Sequence, residues 1–162
     1  MNPTGTPAVK LLVLDVDGVL TDGRLWYGPN GEELKGFHVR DGLGIKSVLS
    51  AGIEVAVISG RESQAVALRC AELGIRHVIQ GCADKRSAFD GLCATLGIGP
   101  EAVACVGDDS PDLPLIVRAG LGIAVADAHP SVRAAAGRVT QLPGGHGAVR
   151  EICDWLLAGQ PA

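Results

Sequence analysis

The chain has 162 residues, 47% hydrophobic and 20% charged, which suits one soluble globular domain with a core of its own. Its 14 Lys and Arg against 18 Asp and Glu leave a net charge of −4. No basic run could neutralise a row of phosphates, so nucleic acid and anionic membranes are not expected as partners. Aromatics are only 3% while glycine reaches 23 residues, so the core has to be built from Val, Ile, Leu and Ala with many tight turns between elements, an α/β composition.

Cys70, Cys82, Cys93, Cys105 and Cys153 are odd in number and scattered, with no Cys-x-x-Cys pair to hold zinc or run a redox cycle. They read as free thiols of a reducing compartment. The N-terminal MNPTGTPAVK lacks a charged start followed by an apolar stretch, and no run of about 18 apolar residues occurs. A cytoplasmic protein is expected.

In chain order, residues 1–8 form a loose Pro/Gly/Thr leader, and residues 9–158 read as one domain with a tail from about 143 to 162. Apolar runs at 9–14, 53–58, 102–106 and 121–125, with a weaker copy at 77–79, predict buried strands. Helices are predicted over 43–50, 63–73, 86–96, 112–119, 132–136 and 148–157, several stopping at or before a glycine such as Gly52, Gly74 or Gly97. Strand then helix, repeated about five times, demands parallel strands joined by right-handed crossovers, a doubly wound α/β sheet with helices on both faces. One segment departs from this rhythm. Residues 24–27 and 34–39 flank the turn-rich Gly28-Pro29-Asn30-Gly31 and read as a β-hairpin, while Gly144-Gly145-His146-Gly147 reads as a hinge before the last helix.

Ligands of such a sheet collect outside the carboxyl ends of its strands. There the chain carries Asp15-Val16-Asp17-Gly18, Ser59-Gly60-Arg61 and Gly107-Asp108-Asp109-Ser110-Pro111-Asp112, while Lys85 opens the helix after the weaker strand. Asp15 and Asp17 project alike at strand spacing, and Asp108 is expected from a neighbouring strand. Crowded carboxylates repel, and a hard divalent cation relieves them; oxygen ligands without His or Cys point to Mg²⁺. Ser59 and Lys85 add donors across from the metal, a mixture suited to a phosphoryl group. Each piece alone has a plainer reading: a turn or calcium loop for Asp-x-Asp-Gly, a helix cap for Ser-Gly-Arg or the Asp-rich loop, and a solvated charge for Lys85.

With these motifs in order, the chain resembles the haloacid dehalogenase-like phosphatases, whose first motif, Asp-x-Asp-Gly-Val/Thr-x-Thr/Val, stands here as residues 15–21. The resemblance implies that Asp15 is a nucleophile forming an aspartyl-phosphate. It implies that Asp17 protonates the leaving oxygen and later serves as base for water, and that Ser59 and Lys85 steady the phosphoryl oxygens. It assigns Mg²⁺ to the Asp15 carboxylate, the Asp17 main-chain carbonyl and the Asp108 carboxylate, with Asp109 and Asp112 in support.

Members of this family usually carry an inserted cap, but only 41 residues lie between Asp17 and Ser59, so no cap domain is expected. The string at 15–23, Phe37 through Ile45, and Gly144 through Glu151 resemble one uncapped branch across nearly the whole chain, the phosphatases of 3-deoxy-D-manno-octulosonate (KDO) 8-phosphate. That branch implies a small-molecule sugar-acid phosphate substrate in lipopolysaccharide inner-core synthesis and a homotetramer assembled through the hairpins. Nine-carbon sialic-acid-type relatives commonly carry Thr-Gly-Glu where this chain has Ser59-Gly60-Arg61, which favours the eight-carbon acid. Arg61 and Arg40 become candidate substrate contacts, as does Thr21, with a surface charge for Arg61 and an ion pair of Arg40 with Asp41 or a neighbour as the plainer readings. The scattered His38, His77, His129 and His146 read as structural. Trp26 and Tyr27 read either as an intersubunit surface or as buried on their own sheet. A non-catalytic scaffold and a phosphoryl-transferring mutase remain as other functional classes.

Overall fold

The computed structural model describes residues 8–159, so the leader, apart from Ala8, and the last three residues of the tail lie outside the described residues. Six strands form one parallel sheet: β1 (Leu11–Leu14), β4 (Glu54–Ile58), β5 (His77–Ile79), β6 (Val103–Gly107), β7 (Leu121–Ala124) and β8 (Arg138–Val139), in the order β5-β4-β1-β6-β7-β8. β2 (Trp26–Tyr27) and β3 (Glu33–Leu34) form the separate antiparallel hairpin. The helices are α1 (Val39–Ser50), α2 (Gln64–Leu73), α3 (Lys85–Leu96), α4 (Leu113–Ile116), α5 (Pro130–Ala135) and α6 (Ala148–Leu157).

Period-two side-chain alternation divides the core between two faces. Leu12, Leu14, Val55 and Val57 pack with Ile45 and Val48 of α1, Val66 and Cys70 of α2 and Ile152 of α6. Leu11, Val13, Ala56 and Ile58 pack with Phe89 and Leu92 of α3 and Leu115 of α4. The doubly wound reading therefore holds, and no cap domain interrupts it. All five cysteines are unpaired, and four of them are buried.

Differences from the sequence reading have local causes. The second hairpin arm stops at Leu34 and Val39 already opens α1, because His38 Nδ1 accepts the Arg40 N–H at 3.2 Å and caps a helix expected to begin only at residue 43. The segment expected to be helical over 112–119 is a tight turn, Ser110–Asp112, followed by the four-residue α4. β8, a two-residue edge strand, has too short an apolar pattern to be read in advance.

The Gly144–Gly147 stretch is a clamp, not a hinge. A Cβ on Gly144 would stand 1.7 Å from the Gly18 carbonyl oxygen, Gly145 N–H donates to the Val19 carbonyl at 3.0 Å, and Gly144 N–H donates to Asp127 Oδ1 at 2.9 Å. Small residues here permit a close backbone approach to the loop after β1. Among the described residues, no helix is long and apolar enough to cross a membrane.

Candidate active site

β1 lies between β4 and β6, where the chain first winds to one side of the sheet and then returns to the other, and the carboxyl end of β1 opens at that crevice. Register brings the chemistry together: Leu14 stands opposite both Val57 and Val106, so the residues following these strands emerge on one rim. Asp15, Asp17, Ser59, Gly60, Arg61, Lys85, Asp108, Asp109 and Asp112 line one cavity of about 380 Å³.

Asp15 leaves β1 with its N–H on the Val106 carbonyl at 3.2 Å, and the chain then winds through Val16–Leu20. Thr21, 1% exposed, staples this loop: its Oγ1 accepts from the N–H groups of Gly18 at 3.4 Å and Gly23 at 3.1 Å. Lys85, at the start of α3, reaches Asp15 Oδ1 at 2.8 Å and Asp112 Oδ1 at 2.7 Å. Asp112 Oδ2 accepts from the N–H groups of Asp108 at 3.0 Å and Asp109 at 3.3 Å. Both Asp112 oxygens are therefore engaged in shaping the loop after β6. Asp109 caps the following turn by accepting the Ser110 N–H at 2.7 Å.

One carboxylate oxygen from each of Asp15, Asp108 and Asp112 can lie within 4.8 Å of the other two. One ammonium against three carboxylates leaves this buried cluster short of positive charge. Burial, then repulsion from Asp112, pushes Asp15 up to about 6 despite Lys85; burial, then Asp15 and Asp112, pushes Asp108 up to about 8. Burial alone would lower Lys85, but Asp15 and Asp112 outweigh it and hold the ammonium above its usual range. An all-oxygen, charge-deficient donor set fits a hard divalent cation. With Asp112 committed to Lys85 and two N–H groups, Asp15 and Asp108 are the carboxylates available to face it.

Not every expected residue arrives here. Arg40 lines a different cavity with Leu142, Arg150, Glu151 and Trp155. The suggested Arg40–Asp41 pair is replaced by a cap, since Asp41 Oδ1 accepts the Arg150 N–H of α6 at 2.9 Å. Thr21 is not among the residues lining the cavity, its hydroxyl being spent on the loop. Arg61 does line it, and is not a lone surface charge: Nη2 bonds Glu33 Oε2, and Nε lies 4.0 Å from Asp17 Oδ2.

The hairpin supplies two residues that the motifs did not announce. Lys35 Nζ donates to Asp17 Oδ1 and stands 3.1 Å from Glu33 Oε1. The hydrogen bond from Arg61 is the main reason the Glu33 carboxyl is held down at about 2. An alternating Glu-x-Lys on a hairpin is the only sequence trace of this arrangement, and it reads as an ordinary polar strand face. As expected, histidines stay out: His38 and His129 cap helices, His77 meets Glu54 at 3.2 Å and His146 bonds the Gly144 carbonyl at 2.9 Å. Trp26 and Tyr27 are 59% and 62% exposed, which removes burial on their own sheet as an explanation.

Comparison with known proteins agrees with this geometry. A family of haloacid dehalogenase-like hydrolases matches residues 77–152. The 3-deoxy-D-manno-octulosonate 8-phosphate phosphatase KdsC of Escherichia coli K12 is 55% identical over 152 residues, 94% of this chain and 81% of that protein. The chain belongs to the haloacid dehalogenase-like hydrolases. Among solved structures, the Moraxella catarrhalis 3-deoxy-D-manno-octulosonate 8-phosphate phosphatase, in complex with magnesium, phosphate and KDO, matches with TM-score 0.92 and 45% identity, covering 94% of this chain and 87% of that one. The cobalt-bound Haemophilus influenzae deoxy-D-mannose-octulosonate 8-phosphate phosphatase matches with TM-score 0.90 and 47% identity, covering 94% and 89%.

Proposed function

We propose that this hydrolase is a Mg²⁺-dependent phosphatase that converts 3-deoxy-D-manno-octulosonate 8-phosphate to the free sugar acid and phosphate in the cytoplasm, within lipopolysaccharide inner-core synthesis. The observation carrying this reading is the convergence of Asp15, Asp17, Ser59, Lys85 and Asp108 on one cavity. Its substrate follows from the KDO 8-phosphate phosphatases to which the chain is similar over 94% of its length.

Asp15 Oδ attacks phosphorus while the bond from phosphorus to the sugar oxygen breaks, and Asp17 gives that oxygen its proton. Water then attacks the aspartyl-phosphate, Asp17 takes its proton, and the Asp15 carboxylate and inorganic phosphate separate. Lys85 fixes the Asp15 rotamer through its 2.8 Å contact and, with Ser59, supports the transferring oxygens. Asp15, the Asp17 carbonyl and Asp108 would hold the divalent cation, which when bound would supply charge that screens the phosphate from the nucleophile. Asp109 and Asp112 support the loop that carries Asp108.

Arg61 at the cavity rim supports an acidic substrate, and the eight-carbon acid over the nine-carbon one. Leu25, Trp26, Tyr27 and Leu34, exposed between 42% and 62%, support assembly through the hairpin as a homotetramer. In such an assembly Arg40, remote from its own cavity, could meet substrate only in a neighbouring subunit.

The test is phosphate release by the purified chain from the eight-carbon and nine-carbon acid phosphates with Mg²⁺. Release is expected to be faster from the eight-carbon ester, to stop with EDTA, and to vanish in Asp15→Asn while the fold persists. Full turnover by Asp15→Asn would refute the nucleophile, and preference for the nine-carbon ester would move the substrate.

A further inference from the structure

Four charged groups close a ring at the edge of the cavity. Lys35 Nζ donates to Asp17 Oδ1 and stands 3.1 Å from Glu33 Oε1; Glu33 Oε2 bonds Arg61 Nη2; Arg61 Nε lies 4.0 Å from Asp17 Oδ2. The side chain of Lys35 has no solvent exposure, and those of Asp17 and Glu33 are 22% and 15% exposed. A buried ammonium is tolerated only against well-placed acceptors, and both of its carboxylates come from different parts of the chain: Asp17 from the loop after β1, Glu33 from the hairpin. Exposed ion pairs contribute little, but here the contact is shielded, whereas the other ion pair between hairpin and loop among the described residues, Arg24 with Asp22, is local and exposed.

We infer that Lys35 is a positioning residue for Asp17, fixing the carboxylate that serves the leaving oxygen, and that Glu33 anchors Lys35 and Arg61 so that the hairpin sets this geometry. The inference rests on the proposed acid-base role of Asp17. A carboxyl that must hand a proton to one sugar oxygen works only in a narrow range of orientations, and Asp17 sits on a loop whose own staples, through Thr21, reach Gly18 and Gly23 but not its side chain. Lys35 supplies that restraint from outside the loop. Arg61 alone, at 4.0 Å and 47% exposed, is too loose to replace it.

Leaving groups separate positioning from simple binding. An alkyl phosphate such as the sugar-acid ester needs a proton delivered as its bond breaks, whereas p-nitrophenolate leaves without one. In the full chain with Mg²⁺, Lys35→Met is expected to lower kcat on KDO 8-phosphate by about tenfold or more, a part of the roughly 100- to 10,000-fold that general acid catalysis contributes. On p-nitrophenyl phosphate it should lose much less, with KM for either ester changed little. Lys35→Arg, which keeps the cation, should recover most of the loss, and Glu33→Gln should show a smaller loss of the same leaving-group dependence. Thermal melting of each variant separates these effects from unfolding. Equal losses on both esters, or a raised KM with unchanged kcat, would overturn positioning and make Lys35 a structural or substrate-binding group. Asp17→Asn distinguishes the underlying reading: if it retains wild-type turnover the role of Asp17 fails, whereas an inactive Asp17→Asn beside a fully active Lys35→Met defeats only the inference about Lys35.

Discussion

Gly18 and Asp108 occupy nearly the same space: a Cβ on Gly18 would stand 2.0 Å from Asp108 Oδ2, and Gly18 adopts φ +91°, a conformation side-chain-bearing residues avoid. The loop after β1 can approach the loop after β6 only because position 18 has no side chain. Gly18→Ala should therefore push Asp108 away from Asp15 while leaving the sheet intact. Displacing a catalytic group by an ångström can cost about 100-fold, so kcat should fall at least that far. Steady-state kinetics beside far-UV circular dichroism decide it, and near-normal turnover would contradict the contact.

The charge deficit in the acidic cluster has a pH signature. Asp15 is raised to about 6 and Asp108 to about 8 from an ordinary 3.8. A carboxyl with a folded pKa above its unfolded one carries no penalty below the unfolded value, and the penalty grows as pH rises toward the folded value. The EDTA-treated protein should therefore melt at progressively lower temperature between about pH 4 and pH 8, then level off. Mg²⁺ should raise the melting temperature more at the upper end of that window, because its ligands no longer have to lose protons. A metal-free melting temperature that climbs across the window would contradict the clustering.

Phe89 is fully buried on the α3 face of the sheet, and among the described residues it is the one aromatic ring of the apolar cluster there. Phe89→Ala leaves a void in this cluster and should cost about 3–5 kcal/mol, measured by urea denaturation. It lies four residues after Lys85 on α3, so loss of Lys85 positioning should accompany the destabilisation. A change below about 1 kcal/mol would mean that the face repacks.

The hairpin carries its apolar residues outward, with Trp26 59% and Tyr27 62% exposed. If the hairpins build the proposed homotetramer, replacing both by Ser should convert it to smaller species in light scattering. Activity should fall with it if neighbouring subunits complete the site. Full activity in a monomer would refute shared sites.

Five of the six sheet strands, the parallel α/β class and the order of the motifs were legible in the linear chain, because unbroken apolar runs followed by Asp or Ser report local burial and strand ends directly. Asp15, Asp17, Ser59, Lys85 and Asp108 were found that way. What the chain alone could not reveal depends on groups distant in sequence meeting in space. Lys35 and Glu33 look like a polar strand face until the hairpin folds against Asp17, and nothing in the motif spacing tells that α1 carries Arg40 to a different cavity of its own chain. Gly144 and Gly145 look like a hinge until their backbone closes on Gly18 and Val19. Periodicity and motif spacing record each residue's immediate neighbourhood; charge pairing and close backbone approach are set by chain segments that only the completed sheet brings within reach.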